Sequence, residues 1–353
     1  PSSLVREAET SDEGYSPDLW RKMADLGFLG IAMPAAYGGT AAGALNQAIL
    51  VEAMGRRLVP SPYFATVVLS AELINAAGSE SQKRQYLPGL VNGDLIATVA
   101  ATEPNVGFDA GSILMPAVQE GDAFVLNGTK RFIYYAQVAD LIICAARTGS
   151  DGNPQDGVSL FLVDRNTPGV TVIPLETVAY DKQFEVVFEN VRVPRERVLG
   201  EVHQGWASLE WVLNKATVLQ SAELVGCMEQ AMEMAIEYAK TRVQFGRPIG
   251  AFQYVQNLCV DMVTQVDRTK YITYETAWKL DEGLSIDRAV HVVKAQSGEA
   301  GPQVTYAAHI CHGSYPYYLE HDLQLYVKHA VVKDLHLGSA RYHRNRLAEK
   351  LEL

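Results

Sequence analysis

The apolar residues of this chain change their spacing twice, and those two changes limit the fold more than any single motif. Up to about Leu95 they recur at helical intervals, as in Leu19, Trp20, Met23, Leu26, Phe28 and Leu29, interrupted by turn clusters such as Pro34-Ala-Ala-Tyr-Gly-Gly39. A second helix is expected over about residues 44–58, with Ile49, Leu50, Ala53 and Met54 as apolar positions. From Leu95 short β-branched and aromatic runs take over, at 96–99, 123–126, 141–145, 158–163, 170–173 and 185–188. Asn127-Gly128 predicts a hairpin turn and Asp151-Gly-Asn-Pro154 a loop. After Pro194 the helical spacing returns in long stretches, roughly 206–242, 254–282, 286–310 and 323–351. The chain therefore reads as α+β, with an N-terminal α-helical domain (1–94), a middle β-barrel or sandwich (95–200) and a C-terminal four-helix bundle (201–353). Helices of that length also suit an oligomer interface.

At 353 residues and 48% hydrophobic content, the chain can fill two or three small domains around an extensive core. A net charge of -11 argues against a general nucleic-acid or anionic-membrane surface, which needs clustered positive charge, but leaves room for a local basic pocket. No apolar run is long enough to cross a bilayer and no signal-like segment opens the chain, so the expected compartment is the cytoplasm. The first residue is Pro1 rather than Met, and part of a leading helix is expected to precede it. Cys144, Cys227, Cys259 and Cys311 are too widely spaced for a zinc or redox motif; they read as buried free thiols, and no metal is expected.

Four segments bear on chemistry. They are Ala101-Thr-Glu-Pro-Asn-Val-Gly-Phe-Asp-Ala-Gly-Ser112, then Tyr238-Ala-Lys-Thr-Arg-Val-Gln-Phe-Gly-Arg-Pro-Ile-Gly-Ala-Phe-Gln253, then His312-Gly313 followed by Glu320-His-Asp-Leu323, and last Lys333-Asp-Leu-His-Leu-Gly-Ser-Ala-Arg-Tyr-His343. In that order they resemble the acyl-CoA dehydrogenase family of flavoproteins, over nearly the whole chain. The Arg-x-x-Phe-Gly-x-x-Ile spacing that starts at Arg242 is the most specific part of the likeness. The resemblance implies FAD, α,β-dehydrogenation of an acyl-CoA thioester, a dimer or tetramer, and electron-transfer flavoprotein or a similar acceptor.

Oxidising a thioester at Cα and Cβ requires a base for the α-proton, a hydride acceptor, and hydrogen bonds to the thioester oxygen. No side chain accepts a hydride, so a flavin must. By the resemblance, Thr102 contacts the flavin ring, and Phe132 and Tyr134 stand where the family has a Trp over one flavin face and a hydroxyl near its redox-active nitrogen. Arg242, Gln244 and Phe245 match the motif that reaches a neighbouring subunit's FAD, and Gly313 lies in the stretch that meets the cofactor from the other side of that interface. Plainer readings compete: a strand-end Thr satisfying its own turn, two aromatics on one face of a strand, and a surface Arg at a helix end. His312, His321 and His336 read as capping or packing residues.

The likeness fails where the base should be. In the family a Glu near the C-terminus removes the α-proton, and Leu337 occupies its position; its backbone N–H, which the resemblance assigns to the thioester oxygen, is retained. Some relatives carry the base on the first C-terminal helix, where this chain has Ala216, followed by Thr217 in place of an Arg. Phe108 replaces a Ser that contacts the acyl-CoA, Ile310 replaces a cofactor-binding Gln, and Ser314 and Pro316 replace glycines. One further carboxylate is a candidate. Ala216, Gln220, Glu223 and Cys227 share a helical stripe, so Glu223 is placed to face the pocket, and a Glu on an apolar stripe has a raised pKa. The competing assignment for Glu223 is a structural partner for a Lys or Arg.

Three functional readings stay open. The first is a base-less subunit that pairs with a homologous catalytic subunit, as in family members acting on steroid side-chain thioesters. The second is a homo-oligomeric dehydrogenase with Glu223 as relocated base. The third is a flavin-dependent monooxygenase on the same fold.

Overall fold

A computed structural model describes residues 2–149 and 152–352, so Asp151 of the expected loop lies outside the described residues. The N-terminal third forms α1 (Ser2–Thr10), α2 (Pro17–Asp25), α3 (Gly43–Arg57), α4 (Glu72–Ala77) and α5 (Glu80–Val91), with π-helical turns over Phe64–Ala71 leading into α4. Local chemistry sets the starts: Ser16 accepts from Leu19 N ahead of Pro17, and Ser79 and Gln82 exchange hydrogen bonds as a capping box.

The middle third contains β1 (Ala97–Ala100), β2 (Ala117–Glu120), β3 (Ala123–Tyr134), β4 (Leu141–Arg147), β5 (Val158–Asp164), β6 (Val170–Leu175), β7 (Gln183–Pro194) and β8 (Val198–Leu199). They form two sheets, in the orders β1-β4-β5-β8 and β2-β3-β7-β6. Their inner faces share one apolar core that includes Cys144 and Phe161 from one sheet and Phe124, Leu126 and Phe188 from the other. The domain is thus a sandwich, the second of the two architectures the strand spacing allowed.

Asn127-Gly128 does not form the predicted hairpin. β3 runs straight through it with a bulge: Asn127 Oδ1 accepts from Asn190 N on β7 at 2.7 Å, and a Cβ on Gly128 would lie 2.7 Å from Met115 Cγ. The pair serves a close approach between strands rather than a chain reversal.

Helices return in α6 (Gly205–Thr241), α7 (Gln253–Asp281), α8 (Ala289–His312), α9 (Leu323–Leu335) and α10 (Ala340–Lys350), with a two-residue ribbon of β9 (Val243–Gln244) and β10 (Arg247–Pro248) between the first two. The stretch expected as a single helix over 323–351 is broken at residues 336–339. Leu337 and Gly338 both have positive φ, +59° and +94°, and Ser339 then caps α10 by accepting from Tyr342 N.

Packing groups the chain into two compact units, one of Pro1–Val5, Gly43–Val59 and Thr217–Leu353, the other of Arg6–Ala42 and Pro60–Ala216. In the first, α3 joins the C-terminal helices. Gly55 and Gly226 let α3 and α6 touch backbone to backbone, since a Cβ on either would sit about 2 Å from a carbonyl oxygen of the other helix. In the second unit the sandwich packs with the remaining N-terminal helices; Thr66 Oγ1 both donates to Ala97 O and accepts from Ala97 N at the start of β1.

Candidate functional site

In the sandwich unit, the Thr102-Glu103-Pro104 segment is anchored from below. Lys130 is fully buried and its Nζ lies 2.7 Å from Glu103 Oε1, while Glu103 also accepts from Leu114 N and Met115 N. The Arg131 N–H donates to the Thr102 carbonyl at 2.9 Å. These bonds hold Thr102 half-buried at the strand end, and among the described residues its hydroxyl makes no hydrogen bond. The plain reading of Thr102 as satisfying its own turn is therefore not what the structure shows.

Phe132 and Tyr134 do not lie on one face of a regular strand. The register with β7 slips between Lys130 and Ile133, and Phe132 sits in that bulge with φ +59° and a ring 42% exposed. A phenyl ring in a left-handed bulge is unfavourable unless something holds it, which makes its exposure informative. Tyr134 is steadied by its hydroxyl oxygen, which accepts from Gln183 Nε2 at 3.0 Å.

In the bundle unit, Arg242, Gln244 and Phe245 all project from the short ribbon. Phe245 is 92% exposed with φ +54°, and its ring meets Phe252 edge-on at 6.0 Å. Gly313 ends α8 with φ +72°, and no atom lies within 4 Å of where a Cβ would be. Beside it, Ile310 is 40% exposed. His312 stacks on Tyr238 at 4.4 Å and its Nδ1 donates to Ala308 O, while His321 Nδ1 accepts from Leu323 N at the start of α9. Both histidines thus pack or cap, as expected. The cysteines are free, three of them buried and Cys259 half-buried, and among the described residues no group of side chains is arranged to hold a metal ion.

The stripe on α6 is real, and its contacts run in reverse along α9: Gln220 meets His336, Glu223 meets Lys333 and His329, and Cys227 meets the Tyr326 carbonyl. Glu223 does not have the raised pKa expected of it. Burial pushes its carboxyl up, but Lys333 Nζ at 3.4 Å and His329 Nε2 at 3.2 Å outweigh burial and hold it down at about 2. Glu223 is an ion-paired carboxylate, the competing assignment made for it.

Around Leu337 the structure supplies groups that sequence reasoning passed over. Lys294 is fully buried, and burial, countered by Asp334, lowers its pKa to about 7. His291 and His343 face each other through their Nδ1 atoms at 2.9 Å, and His343 Nε2 is 2.9 Å from the Leu337 carbonyl. The His343 signal was available, three residues into a helix that starts at a capping Ser; His291 and Lys294 read only as interior positions of α8. No described residue accepts a hydrogen bond from the Leu337 N–H.

Family models for the N-terminal, middle and C-terminal domains of acyl-CoA dehydrogenases match residues 2–94, 98–191 and 203–352. The chain belongs to the acyl-CoA dehydrogenase family. An acyl-CoA dehydrogenase of Bacillus subtilis is 31% identical over 336 residues, which cover 94% of this chain and 88% of that protein. Among solved structures, the FAD complex of PigA is 30% identical with a TM-score of 0.92, covering 99% of this chain and 94% of that one. The Tcur3481-Tcur3483 steroid ACAD is also 30% identical, with a TM-score of 0.89 over all of this chain and 93% of that one. The family is flavin-dependent, and several features here fit FAD: the unengaged Thr102 hydroxyl, the exposed Phe132 ring, the projecting Arg242–Phe245 ribbon and the open backbone at Gly313. Ile310 fits less well, since its exposed side chain offers no hydrogen bond.

Proposed function

We propose that this acyl-CoA dehydrogenase family chain is the base-less subunit of a hetero-oligomer whose homologous partner carries the catalytic carboxylate. One observation carries the reading. The position expected to hold the base is Leu337, and the nearest alternative on the α6 stripe, Glu223, is locked to Lys333 and His329 as a permanent anion. A base must bind the proton it removes, and a carboxyl held at about 2 by its cationic neighbours has little affinity for one. That direction speaks against Glu223 as a relocated base. The monooxygenase reading draws no support from the relatives found.

In this proposal Thr102, Phe132 and Tyr134 hold the flavin ring, while Arg242, Gln244, Phe245 and Gly313 serve the cofactor shared with a neighbouring subunit. When bound, FAD supplies the hydride acceptor that no side chain provides. The chain's own residues then orient the thioester, with the Leu337 N–H as a donor to its oxygen, but do not remove its proton. The likeness to a steroid ACAD supports a lipid or steroid acyl-CoA as substrate class. Electrons would leave to electron-transfer flavoprotein or a similar acceptor. No described helix is long and apolar enough to cross a membrane, which agrees with a cytoplasmic enzyme.

Affinity purification from the native host, with an absorbance spectrum, tests the proposal. The expected result is a second homologous chain bearing the missing Glu and less than one flavin per subunit. Turnover of an acyl-CoA by this chain purified alone would overturn it.

A further inference from the structure

Two chains of hydrogen bonds converge on the turn between α9 and α10, and the chemistry of their ends fixes the direction of each. The Leu337 carbonyl can only accept, so His343 Nε2, 2.9 Å away, carries a hydrogen. In a neutral ring His343 Nδ1 is then an acceptor, and the His291 Nδ1 facing it at 2.9 Å must donate. The second chain starts at Lys294, whose Nζ donates to Gln220 Oε1 at 3.0 Å and to the Lys333 carbonyl. With its oxygen so engaged, Gln220 turns its amide nitrogen to His336 Nδ1 and donates, which leaves the hydrogen of His336 on Nε2.

We propose that these two chains are a positioning device: His291 with His343, and Lys294 with Gln220 and His336, hold residues 336–338 in a turn whose last two residues have positive φ, so that the Leu337 N–H is a fixed hydrogen-bond donor. The turn does not hold itself. Leu337 at φ +59° is in a region that side chains disfavour, and Gly338 at φ +94° follows it directly. The fit around it is close. A Cβ on Gly338 would lie 2.6 Å from Tyr342 Cδ1 and 3.0 Å from His343 Nε2, so the absence of a side chain is what lets His343 reach the carbonyl. From the other side, Asp334 Oδ1 accepts from Ala340 N, and Gly298 gives α8 room to pass that carboxylate. His343, Lys294 and Asp334 thus each hold a backbone group of the turn or its flanks. What the donor binds, a thioester oxygen, rests on the function proposed above; the proton order does not.

The direct test is solid-state 15N NMR on full-length chain labelled with 15N-histidine, with His291→Phe, His336→Phe and His343→Phe each removing one ring's signals for assignment. At neutral pH the expected forms are Nε2–H for His336 and His343 and Nδ1–H for His291. Finding either His336 or His343 as Nδ1–H, or as a charged ring, overturns the proposal, and that measurement on the unaltered chain needs no variant to fold. Hydrogen exchange by mass spectrometry gives the second arm. His343→Phe and Gln220→Leu are expected to exchange the amides of residues 336–339 faster by roughly tenfold, the scale of one lost hydrogen bond, while α7 keeps its protection. Unchanged exchange at the turn in both variants would equally overturn it. If the isolated chain turned over substrate, the base-less reading would fail while the ring tautomers stood unaffected.

Discussion

Glu103 and Glu223 are both carboxylates largely withdrawn from water, one in each compact unit, and each is matched with a buried lysine. Glu103 accepts from Lys130 and from two backbone N–H groups, and through them it fixes the strand end that presents Thr102. Glu223 meets Lys333 and His329 on α9, four and eight residues before Leu337. The first pair supports a motif that still looks like its family, and the second lies beside one that no longer does. A buried carboxylate with a cation at hand is scaffold in either place. At Leu337 there is no carboxylate at all, and Glu223, ion-paired with Lys333 and His329, is not equipped to supply one.

The largest expected effect comes from returning that acid. In chain loaded with FAD, Leu337→Glu should raise the rate at which an acyl-CoA bleaches the flavin by ~10²-fold or more, the usual worth of a positioned base. Anaerobic stopped-flow absorbance measures it. An unchanged rate would mean that the departures at Phe108, Thr217 and Ile310 have disabled this chain independently of the base.

Next in size is the contrast between the two ion pairs. Lys130→Met leaves Glu103 buried with its charge unmatched and is expected to cost about 3–5 kcal/mol in urea unfolding. Lys333→Met should cost clearly less, because the Glu223 side chain is 14% exposed against 7% for Glu103, and His329 remains beside it. Equal losses would remove the distinction drawn between the units.

Much of this was open to the sequence. The helix–strand–helix order, the strand positions and the α6 stripe all follow from spacing, because a half-buried element shows its period directly. What spacing does not show is a residue's partner. The stripe placed Glu223 correctly and its chemistry wrongly, since the apolar stripe is only one wall; the other wall is α9, with Lys333 and His329. Asn127-Gly128 misled for a related reason. The dipeptide permits a turn, but the contacts of Asn127 with Asn190 and of Gly128 with Met115 come from distant parts of the chain and decide for a bulge. The break at His336 to Ser339 was written as Gly-Ser, yet the apolar period on both sides outweighed it.

Acid should separate the units as well. Burial is the main reason His291 and His343 have pKa values lowered from 6.5 to about 4; Lys350 and Arg346 add to it at His291 against Asp287, and His291, Lys294 and Arg346 add to it at His343 against its bond to Leu337. A histidine kept neutral by folding favours the folded state fully above its unfolded pKa. The contribution falls as pH drops below about 6.5 and is gone by about 4, since the unfolded chain takes up protons that the folded one refuses. Exchange measured from pH 7 to 4 should therefore loosen residues 336–343 before the strands around Glu103. Simultaneous loosening would show that the two histidines do not control the turn.

The smallest effect separates two glycines that are alike in the sign of φ. Gly313 and Gly338 both have positive φ, at +72° and +94°, so an alanine at either carries backbone strain, and at Gly313 a ψ of −134° lies outside the left-handed helical region. Only backbone strain applies at Gly313, where a Cβ meets nothing within 4 Å. At Gly338 the added methyl would press on Tyr342 and on the Nε2 of His343, so relief requires breaking the bond to the Leu337 carbonyl. Beyond its backbone strain, Gly338→Ala should thus lose about 1 kcal/mol, the worth of one such bond, a loss that Gly313→Ala does not share. The two should also differ in kind: Gly313→Ala weakens FAD retention if the open backbone there meets the cofactor, while Gly338→Ala speeds exchange at the turn and leaves retention alone. Hydrogen-exchange and flavin-release measurements on the pair decide it, and unchanged exchange at the turn in Gly338→Ala would mean that the close packing at Gly338 relaxes without touching His343.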